Sequence, residues 1–533
     1  MSSFNDDEQN VPASNSSNNN NNGASAAAAA AGTNNTNKPT LSVAGKVQLS
    51  VYKNETAPLE ENRQQILLEL TGAASAGDRP GLDLVAVLDV SGSMDGEKLS
   101  KMKTAMLFVI KKLSNIDRLS VVSFSDGAAR LCPLRFVTEA SQKEFKALVD
   151  GLVARGGTNI TDGLRTGLKV LAGRRLAGGR VVSVMLMSDG QQTTGDARNV
   201  DVGNVPVYTF GFGADHDAAL LDAVARKSMG GTFNYVQDGV NLSGPFSQLL
   251  AGLLTVVVQD LKLTVTPTQD EAVIEKVDPG SYPQQKAGES VTVSFGDLYS
   301  REVRKVIVDL VLPGTDAEYD SPVMDVEYSY STPSKPFFSP PETQIIRRAG
   351  AADPDAVKPE VQTELARRMH AAMIGEARAM ADGNNLGDAK DKIVEAQNAL
   401  EDILEQSSPV VDMLRTELQQ LLRLMKSQEM YEKQGRAYAL SSETSHARQR
   451  FAARGDVGEV RLFATPRMDK YLEQAKIFDD NPDAPLPSAD DDVKEEIAAN
   501  PLAPIAGPIA FYIQAAIKAL QAIEMLVTAA AQP

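Results

Sequence analysis

The sequence predicts an α/β protein: a doubly wound α/β domain inserted in a β-sandwich and followed by a helical C-terminal region. Three observations lead there. Between residues 77 and 255, apolar strand runs alternate with helical periodicity, the pattern of a parallel sheet covered on both faces. On either side, at 44–76 and 256–345, short alternating strands recur between turn residues, as in a sandwich. From 354 to 435, apolar residues fall at helical spacing with few Gly or Pro.

Taken in order, residues 1–43 are low-complexity, with homopolymeric Asn18 to Asn22 and Ala26 to Ala31, and disorder is expected. VQLSVYK and QQILLELTG read as two strands, and we infer that they join the later strands LKLTVTP, EAVIEKV, SVTVSFG, VRKVIVDLVLP and PVMDVEYSYS. The inserted domain then has its two ends close together. Its strands fall near 83–89, 118–125, 181–187, 206–212 and 232–236, and its helices near 97–113, 139–152, 161–173, 217–228 and 241–254. The stretch 128–136 adds an antiparallel edge strand, with Cys132 as a structural thiol.

The helical region has repeats near 361–381, 386–405 and 409–434, and its short connections imply an antiparallel hairpin or bundle. Leu414, Leu418, Leu421, Leu422 and Met425 are core there, or the seam of a homo-oligomer. The polar segment 436–478 carries Arg436, Arg448, Arg450 and Arg454. Pairing with the chain's own carboxylates is the expectation, and a phosphate or acidic peptide the alternative. Arg454-Gly455-Asp456 is treated as coincidence. Residues 479–500 read as an acidic, solvated linker. Residues 501–530 read as an amphipathic helix docking on the protein or a partner. It is not expected to span a membrane, because Lys518 and Glu524 would lie inside the span.

The net charge of −17 over 533 residues argues against nucleic-acid binding, which needs an excess of Lys and Arg. A single cysteine excludes an intramolecular disulfide, and the polar, acidic N-terminus is not a secretory signal, so a cytoplasmic protein is expected. The three histidines, His216, His370 and His446, are scattered without metal spacing, and a zinc site is not expected.

Chemistry concentrates where two buried strands end. Leu84 to Leu88 runs into Asp89-Val90-Ser91-Gly92-Ser93, and Val181 to Leu186 runs into Met187-Ser188-Asp189-Gly190. Open α/β sheets bind ligands at this carboxyl edge. Carboxylates and hydroxyls are hard oxygen donors that suit Mg²⁺ or Mn²⁺. Between them lies Gly156-Gly157-Thr158-Asn159.

At these residues the chain resembles the von Willebrand factor A-type (vWA) family, and so a vWA (Rossmann-like) domain is implied. The resemblance implies a metal-ion-dependent adhesion site (MIDAS) made by Asp89, Ser91, Ser93, Thr158 and Asp189. It also implies one coordination position left for the carboxylate of a partner. Beyond this domain, Gly296 to Ser300, Glu302 to Arg304, Met430-Tyr431, Gly435 to Tyr438 and Ser445 to Arg450 resemble plant vWA proteins with a Vwaint-type region. That group includes RING-finger ubiquitin ligases of the wavy-growth type. A RING finger needs eight Cys/His ligands and this sequence has one cysteine, so the expected function is binding and not catalysis. The expectation is a metal-dependent protein-interaction scaffold, in ubiquitin-ligase-related pathways by resemblance. A Mg²⁺-dependent hydrolase is the first alternative, although Ser91 stands where phosphatases of the haloacid-dehalogenase type carry their second Asp. The other is a structural oligomer whose site is capped by its own acidic segment.

Overall fold

The computed structural model describes residues 44–530 apart from 76, 78, 354, 404–407 and 456–459. The low-complexity stretch 1–43 and Asp456 lie outside the described residues.

The central sheet runs in the order Phe233–Val236, Val207–Phe212, Val181–Ser188, Leu82–Asp89, Arg118–Phe124, Ala128–Arg130. The first five strands are mutually parallel. Every residue of Leu82–Asp89 is buried, because helices cover both faces of its sheet, so its middle, Leu84 to Leu88, reads as one apolar run. Chain order reverses at this strand, which lies between 181–188 and 118–124. Such a switch point opens a crevice at the carboxyl ends of the two central strands. The expected edge strand is two short ones, Ala128–Arg130 and Arg135–Phe136, both antiparallel to 118–124. Pro133 between them has no N–H to give to the ladder.

The sandwich has one sheet ordered 47–52, 62–72, 303–312, 273–278. The other is ordered 284–287, 290–299, 256–267, 319–331, 342–348, 56–57, with 336–338 beside 319–331. Asn62–Gly72 pairs with Val303–Leu312 antiparallel, from Asn62 opposite Leu312 to Thr71 opposite Val303. Ile66, Leu68, Leu70, Val265, Val293, Val308 and Val326 meet between the sheets. The strand Gln284–Ala287 was not legible because all four of its residues are exposed and do not alternate. Backbone pairing to Ser290–Val293 holds it.

Helices Pro359–Asp382, Leu386–Ile403, Pro409–Leu424 and Arg436–Arg448 form a bundle whose core is continuous with one face of the central sheet. Leu414, Leu418, Leu421 and Met425 of the seam offered as an oligomer contact are fully buried within this chain, and Leu422 is partly buried against the same core. Pro466–Asp480 covers the opposite face, where the Phe108 ring meets Tyr471 and Phe478 edge-on at 6.4 and 5.6 Å.

Two C-terminal segments differ from the reading above. The polar segment 436–478 is mostly helical, and its irregular part extends the central sheet: Tyr235 N–H donates to Ala453 at 2.9 Å and Gly455 N–H to Tyr235 at 2.8 Å. The four arginines singled out above all find partners within the chain. Arg436 meets Asp382, Arg450 meets Glu302 and Arg454 meets Glu417, while Arg448 donates to the carbonyls of Arg226 and Ser228. Buried ion pairs add to the apolar contacts of Leu440, Leu462 and Tyr471 here, and they leave no periodic signal in the sequence. The segment 479–500 contains a helix, Ala489–Ala499, with a Ser488–Asp491 capping box. Asp490, Asp491 and Asp492 occupy its first turn, where the helix dipole favours negative charge. Asp492 is buried against Lys112, 2.7 Å away. Local acidity read as solvation is thus an N-terminal turn plus a buried ion pair.

Ala503–Ala530 is a single helix. Gly507 and Pro508 sit against Gly45, and Phe511 meets the Phe337 ring at 5.6 Å. Ile509, Tyr512, Ile513 and Ile517 are exposed. No helix among the described residues is long and apolar enough to cross a membrane.

Candidate metal centre

Asp89 ends its strand with no solvent exposure, beside Ser188 of the neighbouring strand. Its two oxygens are held separately: Oδ1 accepts from the Ser91 N–H at 2.8 Å and Oδ2 from the Ser188 hydroxyl at 2.6 Å. Burial pushes its carboxyl up to about 6, and these hydrogen bonds only partly oppose the rise. The Ser93 hydroxyl donates to Asp189 Oδ1 at 2.7 Å. Ser93 has one proton and has given it to Asp189, so in the 3.0 Å contact between Ser91 Oγ and Ser93 Oγ it is Ser91 that donates. The hydroxyls of Ser91 and Ser93 thus lead to Asp189, and the Ser91 backbone N–H joins Asp89 to the same hydrogen-bonded run across the switch point.

The second loop is tied to the first by Gly92 N–H to Gly156 at 3.0 Å and Arg155 N–H to Val90 at 2.8 Å. It is tied to the third by Thr193 N–H to Thr158 at 2.8 Å and Thr158 N–H to Thr193 Oγ1 at 3.0 Å. Gly156 has a φ of +75°, and a Cβ there would run into the Asp126 carboxylate. Thr158 is buried, and among the described residues nothing hydrogen-bonds its hydroxyl. A Cβ on Gly190 would lie 3.3 Å from Ser93 Oγ and 3.6 Å from Thr158 Oγ1. The glycine thus keeps clear a space onto which both hydroxyls open. Two buried carboxylates and three hydroxyls, that of Thr158 unbonded, fit a hard divalent cation.

The structure brings all five expected residues to one edge. It adds two that sequence reasoning passed over. Gly190 matters for the space it leaves. Lys98 reaches back from the first turn of Glu97–Lys112 and places Nζ 2.6 Å from Asp189 Oδ2. The signal for Lys98 was its place just after the metal loop, on the helix that follows it.

The histidines are less scattered than the sequence suggests. His370 and His446 both reach Glu417 Oε2 through Nε2 at 2.8 Å, and Arg454 holds the other oxygen. Helix packing, not sequence spacing, joins them. Arg367 Nη1 lies 3.1 Å from His446 Nδ1. A guanidinium only donates, so Nδ1 accepts and the proton resides on Nε2, facing Glu417. Burial lowers the His446 imidazolium to about 4, in keeping with a neutral ring. A metal on Nε2 would need the opposite tautomer, with N–H against N–H. The cluster is a hydrogen-bonded core of the bundle.

Comparison with known proteins accords with this geometry. The family model for the von Willebrand factor type A domain matches residues 83–248, and that for the VWA / Hh protein intein-like (Vwaint) region matches 408–477. The uncharacterized protein sll0103 of Synechocystis sp. is 30% identical over 300 residues, covering 51% of this chain and 69% of its own length. The chain belongs to the von Willebrand factor type A domain family. The Arabidopsis thaliana E3 ubiquitin-protein ligase WAV3 is 32% identical over 257 residues, which is 44% of this chain and 32% of WAV3. Inter-alpha-trypsin inhibitor heavy chain H3 of Rattus norvegicus is 29% identical over 242 residues, 43% of this chain and 27% of that protein. The chain thus spans about a third or less of these two relatives. Among solved structures, a von Willebrand factor type A protein from Catenulispora acidiphila aligns with a TM-score of 0.56 at 19% identity, over 70% of this chain and 89% of that one. That likeness is one of fold.

Proposed function

We propose that this vWA protein is a metal-dependent protein-interaction scaffold. Asp89, Ser91, Ser93, Thr158 and Asp189 would hold Mg²⁺ or Mn²⁺, and an Asp or Glu side chain of a partner protein would complete the shell. The observation that carries the reading is the hydrogen-bonded run Asp89–Ser91–Ser93–Asp189 at the switch point, facing the unbonded Thr158 hydroxyl. Five side chains leave one position of a six-coordinate hard cation open, and an outside carboxylate is a hard oxygen ligand that can fill it. We assign no catalytic role: Ser91 lies two residues beyond Asp89 and cannot act as the acid a phosphoaspartyl mechanism needs. A cytoplasmic location is part of the proposal, supported by the single cysteine. The similarity to WAV3 supports a place beside ubiquitin ligation, with the chain recognising a partner.

For Asp492, the self-capped alternative is disfavoured by distance. Asp492 pairs with Lys112 at the C-terminal end of the sixteen-residue helix whose N-terminus faces the metal loop. That helix is about 24 Å long.

The test is calorimetric titration of Mg²⁺ and Mn²⁺ into metal-stripped protein, wild type beside Asp89→Ala. Saturable binding by the wild type alone is expected, with partner capture lost on chelation. Equal binding by both proteins, or none by either, would overturn the proposal.

A further inference from the structure

Lys98 is the second residue of its helix, where the dipole disfavours a cation. It is held there by Asp189, whose Oδ2 it meets at 2.6 Å while Ser93 occupies Oδ1. Asp189 is fully buried and the Lys98 side chain is 25% exposed, so the contact is only partly screened. The adjacent Glu97 is turned away to Lys101, at 2.8 Å.

The formal charges decide what this lysine does. Asp89 and Asp189 carry two negative charges and Lys98 one positive, leaving the site at minus one. A divalent cation brings it to plus one, and one carboxylate from a partner then neutralises it. Without Lys98 the loaded site would be neutral, and an incoming carboxylate would make it negative. We infer that Lys98 is a specificity-determining residue, whose ammonium on Asp189 weakens the divalent cation and in exchange keeps the loaded site positive for an anionic ligand. This rests on the metal-dependent reading given above.

Effects of opposite sign on two ligands separate this role from a merely structural one, which would weaken both or neither. The probes are Mn²⁺ and acetate. Mn²⁺ affinity is measured by calorimetry on the full chain. Acetate binding is followed as the loss of water-proton relaxation enhancement when a carboxylate displaces water from the bound Mn²⁺. Lys98→Met keeps the length of the side chain and removes its charge. It is expected to bind Mn²⁺ at least about tenfold more tightly and to need at least about tenfold more acetate, the scale of one unit charge in a partly buried site. Lys98→Arg should stay near wild type in both. If Lys98→Met leaves both affinities unchanged, or moves them in the same direction, the inference is overturned while Mn²⁺ binding by the wild type keeps the metal reading intact. If the wild type binds no Mn²⁺, both fall together.

Discussion

Glu302→Gln tests whether buried charge, and not apolar area, joins the C-terminal segment to the rest of the protein. The Glu302 side chain is 2% exposed. Its carboxylate accepts from Arg450 Nε and Nη2 at 2.8 and 2.9 Å and from the Tyr299 N–H at 3.0 Å, with Arg304 Nη2 2.8 Å away. The same Arg450 donates to Tyr208 of the central sheet at 3.1 Å and lies 4.0 Å over the Tyr299 ring. Three parts of the chain therefore share one carboxylate. Burial alone would raise its carboxyl, but Arg304 and Arg450 override that and hold it at about 2, below the ordinary 4.5. A depressed carboxyl stabilises the fold above its unfolded value, and that stability is lost as pH falls through the folded value. The window is pH 4.5 down to about 2, and the shift corresponds to about 3 kcal/mol. Glutamine keeps the shape but leaves two arginines buried without their counter-charge, at a cost of about 3–5 kcal/mol at neutral pH. Urea denaturation followed by far-ultraviolet circular dichroism measures both effects, since the chain has no tryptophan for fluorescence. Glu318→Gln, at an exposed pair 3.9 Å apart, is the control and should cost no more than about 0.5 kcal/mol. The reasoning is refuted if Glu302→Gln costs under about 1 kcal/mol at pH 7, or if wild type and variant lose stability in parallel between pH 4.5 and 3.

Three further outcomes follow from the same geometry. Protonated Asp89 is a poor metal ligand, and its carboxyl is raised to about 6, so Mn²⁺ affinity should be flat above neutrality. Below pH 6 it should fall by about tenfold per unit; calorimetry showing an unchanged affinity at pH 5 would contradict this. Gly190→Val should abolish Mn²⁺ binding by filling the space in front of Ser93 and Thr158, while the circular dichroism spectrum stays that of the wild type. Lys112→Met removes an ammonium bonded at 2.7 Å to both Asp492 and Pro487 O. It should cost about 3 kcal/mol and speed proteolytic cleavage within 479–500; an unchanged cleavage rate would show that this helix is held by something else.

The sequence by itself determined the parts that repeat. A strand buried on both faces is apolar through its middle, and an amphipathic helix must carry its stripe, so the doubly wound domain and its strand ends were legible before any coordinates, while the five expected metal ligands came from the family resemblance of the loops at those ends. The sandwich was legible for the same reason, down to the N-terminal strand Asn62–Gly72, which pairs with the distant Val303–Leu312. Only the tertiary structure decided what depends on charge meeting charge over long separations. The Arg-rich and acidic segments look solvated in sequence, because an ion pair such as Lys112–Asp492 or Arg450–Glu302 leaves no periodic trace along the chain. The fold likewise decided that His370 and His446 would share Glu417, and that Lys98 would lie on Asp189. Hydrophobic patterning is written locally, whereas a buried polar contact is specified by two distant residues and by the backbone that brings them together.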